Sequence, residues 1–186
     1  VSEDVEIAGK VFDEYETKLA EDVPSKYELI AEPENKTGTM TEEEITVIYY
    51  YRKKATKVMV HYYEENTTNK LSEDVVIDGR VDDPYTTVSA TDISIKYELV
   101  AIPDNAKGSM TEEIIEVVYY YRVKDAVVNV RYLEKGTNIE LADEDRIDGK
   151  VDENYETKAK DIEGYQLVEH TGNEKGKFEV EPITIT

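Results

Sequence analysis

The sequence predicts a chain of three small, nearly all-β modules in tandem. One observation is an internal repeat with a period of seventy residues, which aligns Gly9 with Gly79 and Gly149. Another is the alternation of apolar with polar residues in the longest apolar runs, which is the pattern of half-buried strands. A fixed period of this kind indicates repeated structural units rather than one large domain. The expected modules are repeat 1 over residues 1–56, repeat 2 over residues 57–126 and repeat 3 over residues 127–186.

The three repeats differ in completeness. Residues 1–53 match residues 71–123 at more than half of their positions without a gap. Repeat 3 is shorter by two residues between Thr157 and Tyr165, and a change of length there is typical of a loop. We expect only repeat 2 to be whole, because repeat 1 lacks an opening strand and repeat 3 lacks the end of its closing strand.

Repeats 2 and 3 are each predicted to begin with a long strand. The run VMVHYY alternates between two faces, and β-branched and aromatic residues suit a pleated surface. One face carries Val58, Val60 and Tyr62, and the other carries Met59, His61 and Tyr63. The equivalent run in repeat 3 is VVNVRYLE, at residues 127–134.

The middle of a repeat is predicted to hold short elements separated by turns. In repeat 2, VVIDGRV is expected to form a bend at its glycine, and residues 81–93 are too rich in Thr and Asp for a long helix. The run KYELVAIP predicts a short strand that ends at Pro103. A turn over residues 104–108 is then followed by a brief strand or helical turn at SMTEE.

The closing strand ends in the same four residues, YYYR, in repeats 1 and 2. Alternation places Tyr119 and Tyr121 on the core face and Tyr120 with Arg122 on the opposite face. The joints RKKATK and RVKDAV follow these strands and contain neither Gly nor Pro, so we expect them to be short and stiff. The three modules are therefore predicted to form an extended row.

Composition excludes several classes of function. The chain has 43 acidic and 22 basic residues and a formal net charge of −21, which repels nucleic acid and anionic membrane surfaces. It has no cysteine, which excludes a disulfide scaffold, a thiol nucleophile and thiolate metal sites. No apolar run approaches the roughly 20 residues needed to span a bilayer, so direct membrane insertion is not expected.

Candidate catalytic and metal-binding residues are weak. Neither His61 nor His170 recurs in the other repeats, so we expect solvated surface histidines rather than catalytic bases. Acidic pairs such as Asp82 with Asp83 do not follow the alternating ligands of a calcium loop. The sequence holds no phosphate-binding glycine loop and no Ser-His-Asp set. We expect no enzymatic activity, no cofactor and no metal site.

The assembled pattern resembles the MucBP (mucin-binding protein) repeat of Gram-positive cell-surface proteins. The residues that carry the resemblance are VNVRYLE (128–134), GKVDENYETKAKDIEGYQL (149–167), the N-x-x-G turn and the closing YYYR. The resemblance implies an extracellular adhesin, attached to the cell wall through parts outside residues 1–186. It also implies β-grasp, ubiquitin-like modules with parallel first and last strands, arranged as an elongated rod. Immunoglobulin-like sandwiches are the alternative, although about 70 residues leave little room for seven strands.

Two functional hypotheses follow from this resemblance. In the first, the repeats bind host mucin glycans or another neutral carbohydrate, weakly and multivalently. In the second, they form a non-binding stalk that projects a distal adhesive domain. Tyr50 and Tyr120 are the candidate ligand-binding residues, because they occupy the same outward-facing position in two repeats. The remaining tyrosines of the two triplets, Tyr49, Tyr51, Tyr119 and Tyr121, are expected to pack at module ends with their hydroxyls reaching water.

Overall fold

The computed structural model describes residues 2–186, and within this range it contains β-strands and no helix. The prediction that the chain is mainly β is therefore confirmed. Repeat 1 contains β1 (Glu14–Glu16), β2 (Tyr27–Ala31), β3 (Thr37–Thr39) and β4 (Tyr50–Lys53). Repeat 2 contains β5 (Ala55–Glu64), β6 (Val75–Arg80), β7 (Pro84–Thr86), β8 (Tyr97–Leu99), β9 (Lys107–Ser109) and β10 (Ile115–Val123). Repeat 3 contains β11 (Asp125–Leu133), β12 (Glu140–Lys150), β13 (Asn154–Glu156), β14 (Lys175–Lys177) and β15 (Ile183–Ile185).

The contacts divide the chain into two compact units that cut through repeat 2. The first unit comprises the described residues up to Val60 with Val75–Thr87 and Asp104–Val117. The second comprises His61–Asp74, Val88–Pro103 and Val118–Thr186. The division of the chain into modules at residues 56 and 126 stays a prediction.

In repeat 3 the opening and closing strands are parallel neighbours. Strand β11 lies between β12 and β15, and β15 pairs with it in parallel from Val128 with Ile183 to Val130 with Ile185. Repeat 2 has the sheet order β6-β5-β10-β8, so its opening and closing strands are also adjacent. The two strands lie at the centre of the four-stranded sheet of repeat 2, as expected, whereas β15 lies at the edge of the three-stranded sheet of repeat 3.

The core follows the alternation of the strands. In the first unit Val58, Val60 and Val117 are almost completely buried. In the second unit, the inward residues of β11 pack with side chains from the rest of repeat 3. These core residues are Ala126, Val128, Val130, Val151, Tyr155, Phe178 and Ile185. Each buried aliphatic or aromatic side chain of this kind stabilises the fold by about 2 kcal/mol.

The run VVIDGRV was expected to bend at its glycine, and that prediction is wrong. Residues Val75–Arg80 form β6, which pairs antiparallel with β5. Gly79 is needed for close approach, because a Cβ there would lie 2.5 Å from the Met110 sulfur. Gly149 packs in the same way against Phe178, with a Cβ position 2.3 Å from the ring. The conserved spacing of these glycines therefore reflects packing across the repeat.

The ends of the chain contain less regular structure than repeat 2. The described closing strand of repeat 1 is only β4, and residues 41–49 lie outside any strand.

The segment SMTEE of repeat 2 forms neither a full strand nor a helical turn, because β9 ends at Ser109 and the residues after it are irregular. The short strand predicted at KYEL is present as β8.

Candidate functional site

A partly exposed aromatic surface lies on one side of the repeat 2 sheet, within the second unit. Tyr62 of β5 is buried, so His61 and Tyr63 on either side of it point to the opposite face. Tyr119 and Tyr121 of β10 are buried in the same way, which leaves Tyr120 on the opposite face, 45% exposed. We call the surface formed by His61, Tyr63, Val118 and Tyr120 the outer face.

A single backbone hydrogen bond defines which residues of the two strands are neighbours on the outer face. The Glu65 amide donates to the Tyr121 carbonyl over 2.7 Å. In a parallel pair, an amide donates to the residue that precedes its partner, so Glu65 is partnered by Arg122. Two residues earlier, Tyr63 is therefore partnered by Tyr120. Neighbouring strands are about 4.8 Å apart, so the two tyrosines lie side by side.

Polar and aliphatic groups border Tyr120. The Arg122 Nε donates to Glu98 Oε1 over 2.6 Å, which places a charged pair beside the ring on the same face. The Val100 amide donates to the Tyr120 carbonyl, and the side chains of Val100 and Ile102 are exposed. The outer face thus combines aromatic rings with hydrogen-bonding groups at its border.

Repeat 1 carries a related surface in the first unit. Tyr50 is 63% exposed and lies opposite Ala31 of β2. The Arg52 Nε donates to Glu28 Oε1 over 2.7 Å, the same pair as Arg122 with Glu98. Ile30 and Ile48 are exposed nearby in sequence. Both predicted ligand-binding tyrosines are thus solvent-exposed next to an Arg–Glu pair.

The alternate tyrosines of repeat 2 form a buried cluster. The Tyr62 and Tyr119 rings stack with centroids 5.8 Å apart, and Tyr121 lies 6.5 Å from Tyr62. The Tyr121 hydroxyl accepts a hydrogen bond from the Ala90 amide over 2.7 Å, and the Tyr62 hydroxyl donates to the Val88 carbonyl. Burial raises the pKa of both hydroxyls. The expectation of packing is met, but the expectation that the hydroxyl of Tyr121 reaches water is wrong.

The equivalent tyrosines of repeat 1 are only half-buried. The hydroxyls of Tyr49 and Thr17 are hydrogen-bonded over 2.8 Å. The Tyr51 hydroxyl is buried without a hydrogen-bond partner among the described residues. The Tyr51 hydroxyl is therefore also enclosed rather than directed to solvent.

His61 is not the solvated histidine that the sequence predicted. Its side chain is only 13% exposed, and Nδ1 lies 3.0 Å from Asp74 Oδ1. The ring also stacks on Tyr63 with centroids 6.0 Å apart. In repeat 3 the equivalent contact joins Arg131 to Glu144 over 3.8 Å. A contact between a basic and an acidic side chain at this position is therefore shared by repeats 2 and 3. The residue types differ between the repeats, so a search for recurring histidines does not find it.

The contact with His61 has an electrostatic consequence for its partner. The pKa of Asp74 is lowered, first by His61 and then by Lys70, whose Nζ lies 3.3 Å from Asp74 Oδ2, while desolvation opposes the shift. His170 differs, because it is exposed as expected.

A single residue joins consecutive repeats. In the first unit, Lys54 separates β4 from β5; its amide donates to the Lys26 carbonyl, and its carbonyl accepts from the Val81 amide. The Lys26 Nζ also pairs with Asp82 over 2.8 Å. Asp82 has a φ of 68°, a left-handed conformation that Asp adopts more readily than most residues.

The second joint repeats this arrangement inside the second unit. Lys124 lies between β10 and β11, bonded through its amide to the Lys96 carbonyl and through its carbonyl to the Val151 amide. Lys96 Nζ pairs with Asp152 over 2.7 Å. Two backbone hydrogen bonds and an ion pair therefore lie at each joint, and the stiffness of the joints stays a prediction.

A groove of about 710 Å³ lies in repeat 3. Tyr132 lines this groove, with its hydroxyl donating to Asp145 over 2.9 Å and Lys160 Nζ 4.7 Å from its ring centroid. Burial, followed by the bond to the Asp145 carboxylate, raises the pKa of Tyr132 to about 12. Leu133 and Tyr165 lie on its walls.

Comparison with protein families matches the MucBP domain to three segments of the chain. The matched residues are 1–52, 57–122 and 127–186. The chain belongs to the MucBP domain family. The resemblance that the sequence motifs indicated is confirmed for all three repeats.

Several known proteins are similar to this chain. The chain is 35% identical over its full length to Internalin J of Listeria monocytogenes serovar 1/2a, of which it spans 22%. It is 31% identical over 62% of its length to Internalin I of the same organism, of which it spans 6%. The crystal structure of Mub-RV matches 69% of this chain and 96% of its own, with 11% identity and a TM-score of 0.28. The family and the internalin relatives support a surface repeat region of the adhesin type and an extracellular location.

The MucBP repeats show no grouping of side chains suited to a metal ion in the part of the chain that the structure describes. Across residues 2–186, no helix has the length and apolar character needed to cross a bilayer. The binding roles of Tyr50 and Tyr120 stay predictions. Sequence reasoning missed Tyr63, although the alternation of β5 already assigned it to the outward side.

Proposed function

We propose that these MucBP repeats belong to a bacterial cell-surface adhesin and bind neutral host glycans, including those of mucin, through exposed tyrosines. In this proposal the repeats form an elongated rod that is attached to the cell wall through other parts of the protein. The observation that carries the proposal is the outer face of repeat 2, where Tyr63 and Tyr120 lie side by side.

The chemistry of the outer face suits a sugar ring. The faces of tyrosine rings are electron-rich, and the C–H groups of a pyranose can stack against them. The Arg122–Glu98 pair supplies donors and acceptors for sugar hydroxyls at the edge of Tyr120. Tyr50 has the same kind of neighbour in Arg52 with Glu28.

Charge favours neutral over anionic glycans. The net charge of −21 repels sialic acid and sulfate over roughly 8 Å at physiological salt. Binding through stacking and hydrogen bonds avoids this repulsion. The outer face is open rather than enclosed, so each site is expected to be weak, and repetition along the chain increases the overall affinity.

A second candidate function is a non-binding stalk. The specific observation in its favour is the repeated joint, in which Lys54 and Lys124 each form two backbone hydrogen bonds. A joint with so little freedom suits a spacer that holds a distal domain at a fixed distance.

Retention of the chain on immobilised mucin and on a neutral glycan array distinguishes the glycan-binding function from the non-binding stalk. The variant carrying Tyr50→Ser, Tyr63→Ser and Tyr120→Ser should lose retention and keep its melting temperature, because these side chains lie outside the core. Tyr165→Ser is the matched control, since Tyr165 is half-exposed in repeat 3 and away from the outer face. No retention by the unmodified chain would support the stalk instead.

A further inference from the structure

The two joints differ in the side chains that bridge consecutive repeats. At the first joint, around Lys54, these side chains come from the turn before β2 and from the irregular segment after β9, both within the first unit. At the second joint, around Lys124, the equivalent segments are the turn before β8 and the residues after β14, both within the second unit. Equivalent positions therefore border both joints, and their residues can be compared directly.

Glu112 bridges the first joint. Its Oε1 accepts a hydrogen bond from the Ser25 hydroxyl over 2.5 Å, and its Oε2 lies 3.2 Å from Lys54 Nζ. These contacts lower the pKa of the Glu112 carboxyl, first through Ser25 and then through Lys54, while desolvation opposes the shift. A carboxylate of repeat 2 is thereby bonded both to repeat 1 and to the residue that joins the two repeats.

Asp82 forms another bridge at the same joint. Its Oδ2 lies 2.8 Å from Lys26 Nζ and 3.2 Å from Lys53 Nζ, and both lysines belong to repeat 1. An isolated ion pair at a protein surface contributes little, whereas several charges in a network contribute more. The first joint thus carries two carboxylates that each have two partners.

The second joint has apolar residues where the first has the Glu112 bridge. Val180 occupies the position of Glu112, because each lies two residues after the side chain that packs against the glycine of its repeat. Ile95 occupies the position of Ser25 in the seventy-residue period. Ile95 is 77% exposed and Val180 is 40% exposed, so neither side chain is enclosed by a contact across the joint.

The lysine that joins repeats 2 and 3 also makes a different contact. The Lys124 Nζ donates to the Ser94 carbonyl in the repeat that precedes the joint, whereas Lys54 reaches the repeat that follows. Asp152 pairs with Lys96 over 2.7 Å. The two bridging carboxylates of the first joint are thus replaced at the second by this pair.

The turns that carry these residues differ in length. In repeat 1 the Tyr27 amide donates to the Pro24 carbonyl, which closes a four-residue turn that begins with a proline of fixed φ. In repeat 2 the Tyr97 amide donates to the Ile93 carbonyl, so the turn is one residue longer, and its sequence contains no proline. The turn at the first joint is therefore the more restricted of the two.

We propose that the chain bends at the joint between repeats 2 and 3, while the Ser25–Glu112–Lys54 bridge restrains the joint between repeats 1 and 2. Rotation about the first joint has to break the contacts of two carboxylates. Rotation about the second joint breaks fewer contacts between side chains of neighbouring repeats. The difference between an acidic and an apolar residue at one position thus sets how freely each joint moves.

Double electron–electron resonance on the full chain measures the freedom of each joint. The chain contains no cysteine, so Glu16→Cys, Thr86→Cys and Glu156→Cys provide exposed labelling positions that are equivalent in the three repeats. Labels at residues 16 and 86 report on the first joint, and labels at residues 86 and 156 report on the second. The distance distribution across the second joint should be the broader one. Equal widths, or a broader first joint, would overturn the proposal.

Exchanging residues between the joints tests the cause. Glu112→Val gives the first joint the residue of the second and should broaden its distance distribution. Glu113→Val is the matched control, because it removes the same charge from the next residue, and it should leave the width unchanged. Both side chains are exposed, so the fold should be retained.

The reverse exchange should stiffen the second joint. Ile95→Ser combined with Val180→Glu installs the hydroxyl and the carboxylate of the first joint at two exposed positions. The distance distribution between residues 86 and 156 should become narrower, because the new carboxylate can bond both the hydroxyl and Lys124 Nζ. An unchanged width here, or equal widths for Glu112→Val and Glu113→Val, would show that the bridge is not what restrains the joint.

Discussion

Tyr62 and Tyr132 occupy the same position in repeats 2 and 3 but have different surroundings. Tyr62 packs against Tyr119 and Tyr121, and its hydroxyl donates to a backbone carbonyl. Tyr132 lies in an open groove, where the ammonium of Lys160 covers its ring and its hydroxyl donates to Asp145. The ring of Tyr62 is thus covered by tyrosines of β10, whereas an ammonium group covers the ring of Tyr132.

Truncating Tyr119 should have the largest effect on the stability of repeat 2. Tyr119→Ala removes a ring that is 1% exposed and leaves a cavity over Tyr62, so the free energy of unfolding of repeat 2 should fall by about 3–5 kcal/mol. Hydrogen exchange resolved by residue should show the loss in β5 and β10 and little change in β11 and β12. Tyr120→Ala is the control, with an expected change within about 0.5 kcal/mol. Equal effects of the two changes would contradict the packing role.

Removing one hydroxyl should have a smaller effect. Tyr62→Phe removes the hydrogen bond from the partly buried Tyr62 hydroxyl to the Val88 carbonyl and should cost about 1 kcal/mol in a urea titration. Tyr132→Phe should cost less, because its partner Asp145 is also bonded to Lys160 and lies near solvent. A larger loss from Tyr132→Phe would show that the groove of repeat 3 is better shielded from water than the core of repeat 2.

Alkaline pH should lower the stability of repeat 3 through the hydroxyl of Tyr132. Its pKa is raised from 10.0 to about 12 in the folded chain, so the unfolded chain loses this proton first. Above pH 10 the folded state therefore binds more protons, and stability falls as pH rises towards 12. Tyrosinate absorbance should show this late titration, and Tyr132→Phe should reduce its amplitude by one tyrosine, leaving the contributions of Tyr62 and Tyr121, whose pKa values burial also raises. Titration of every tyrosine near its ordinary pKa would refute the assignment.

The two joints should show the smallest effect, and it should be unequal. Asp82 contacts both Lys26 and Lys53, whereas Asp152 contacts Lys96, and these contacts lower the pKa of both carboxyls. Their contribution is present above the ordinary value of 3.8 and is lost as pH falls through the lowered value. In hydrogen exchange of the joint amides, Asp82→Asn should have more effect than Asp152→Asn, although exposed pairs contribute little. Equal protection of the joint amides from hydrogen exchange in the two variants would contradict the expected difference between the joints.

Alternation alone predicted the strands that organise this molecule. It assigned Tyr119 and Tyr121 to the core and Tyr120 to the exposed side, because side-chain direction along a strand is a local property. It could not place Lys160 over Tyr132 or Ala90 against Tyr121, because these contacts join residues far apart in the sequence. The neighbours Tyr63 and Tyr120 depend on strand register, which the sequence does not encode locally.

Two of the predictions made from the sequence are wrong for a reason that lies in side-chain packing. Gly79 was interpreted as a bend, but it lies within β6 because the Met110 side chain occupies the space of a Cβ. His61 was interpreted as solvated because no other repeat has a histidine there. The preserved feature is a cross-strand pair, with Arg131 and Glu144 in its place in repeat 3.

The parallel pairing of β11 with β15 has a mechanical consequence. Tension applied along the chain would pull these two strands in opposite directions along their length. The hydrogen bonds between them would then carry the load together in shear, instead of opening one after another like a zipper. A surface protein built from such repeats would resist extension by flowing fluid until a whole strand pair ruptured.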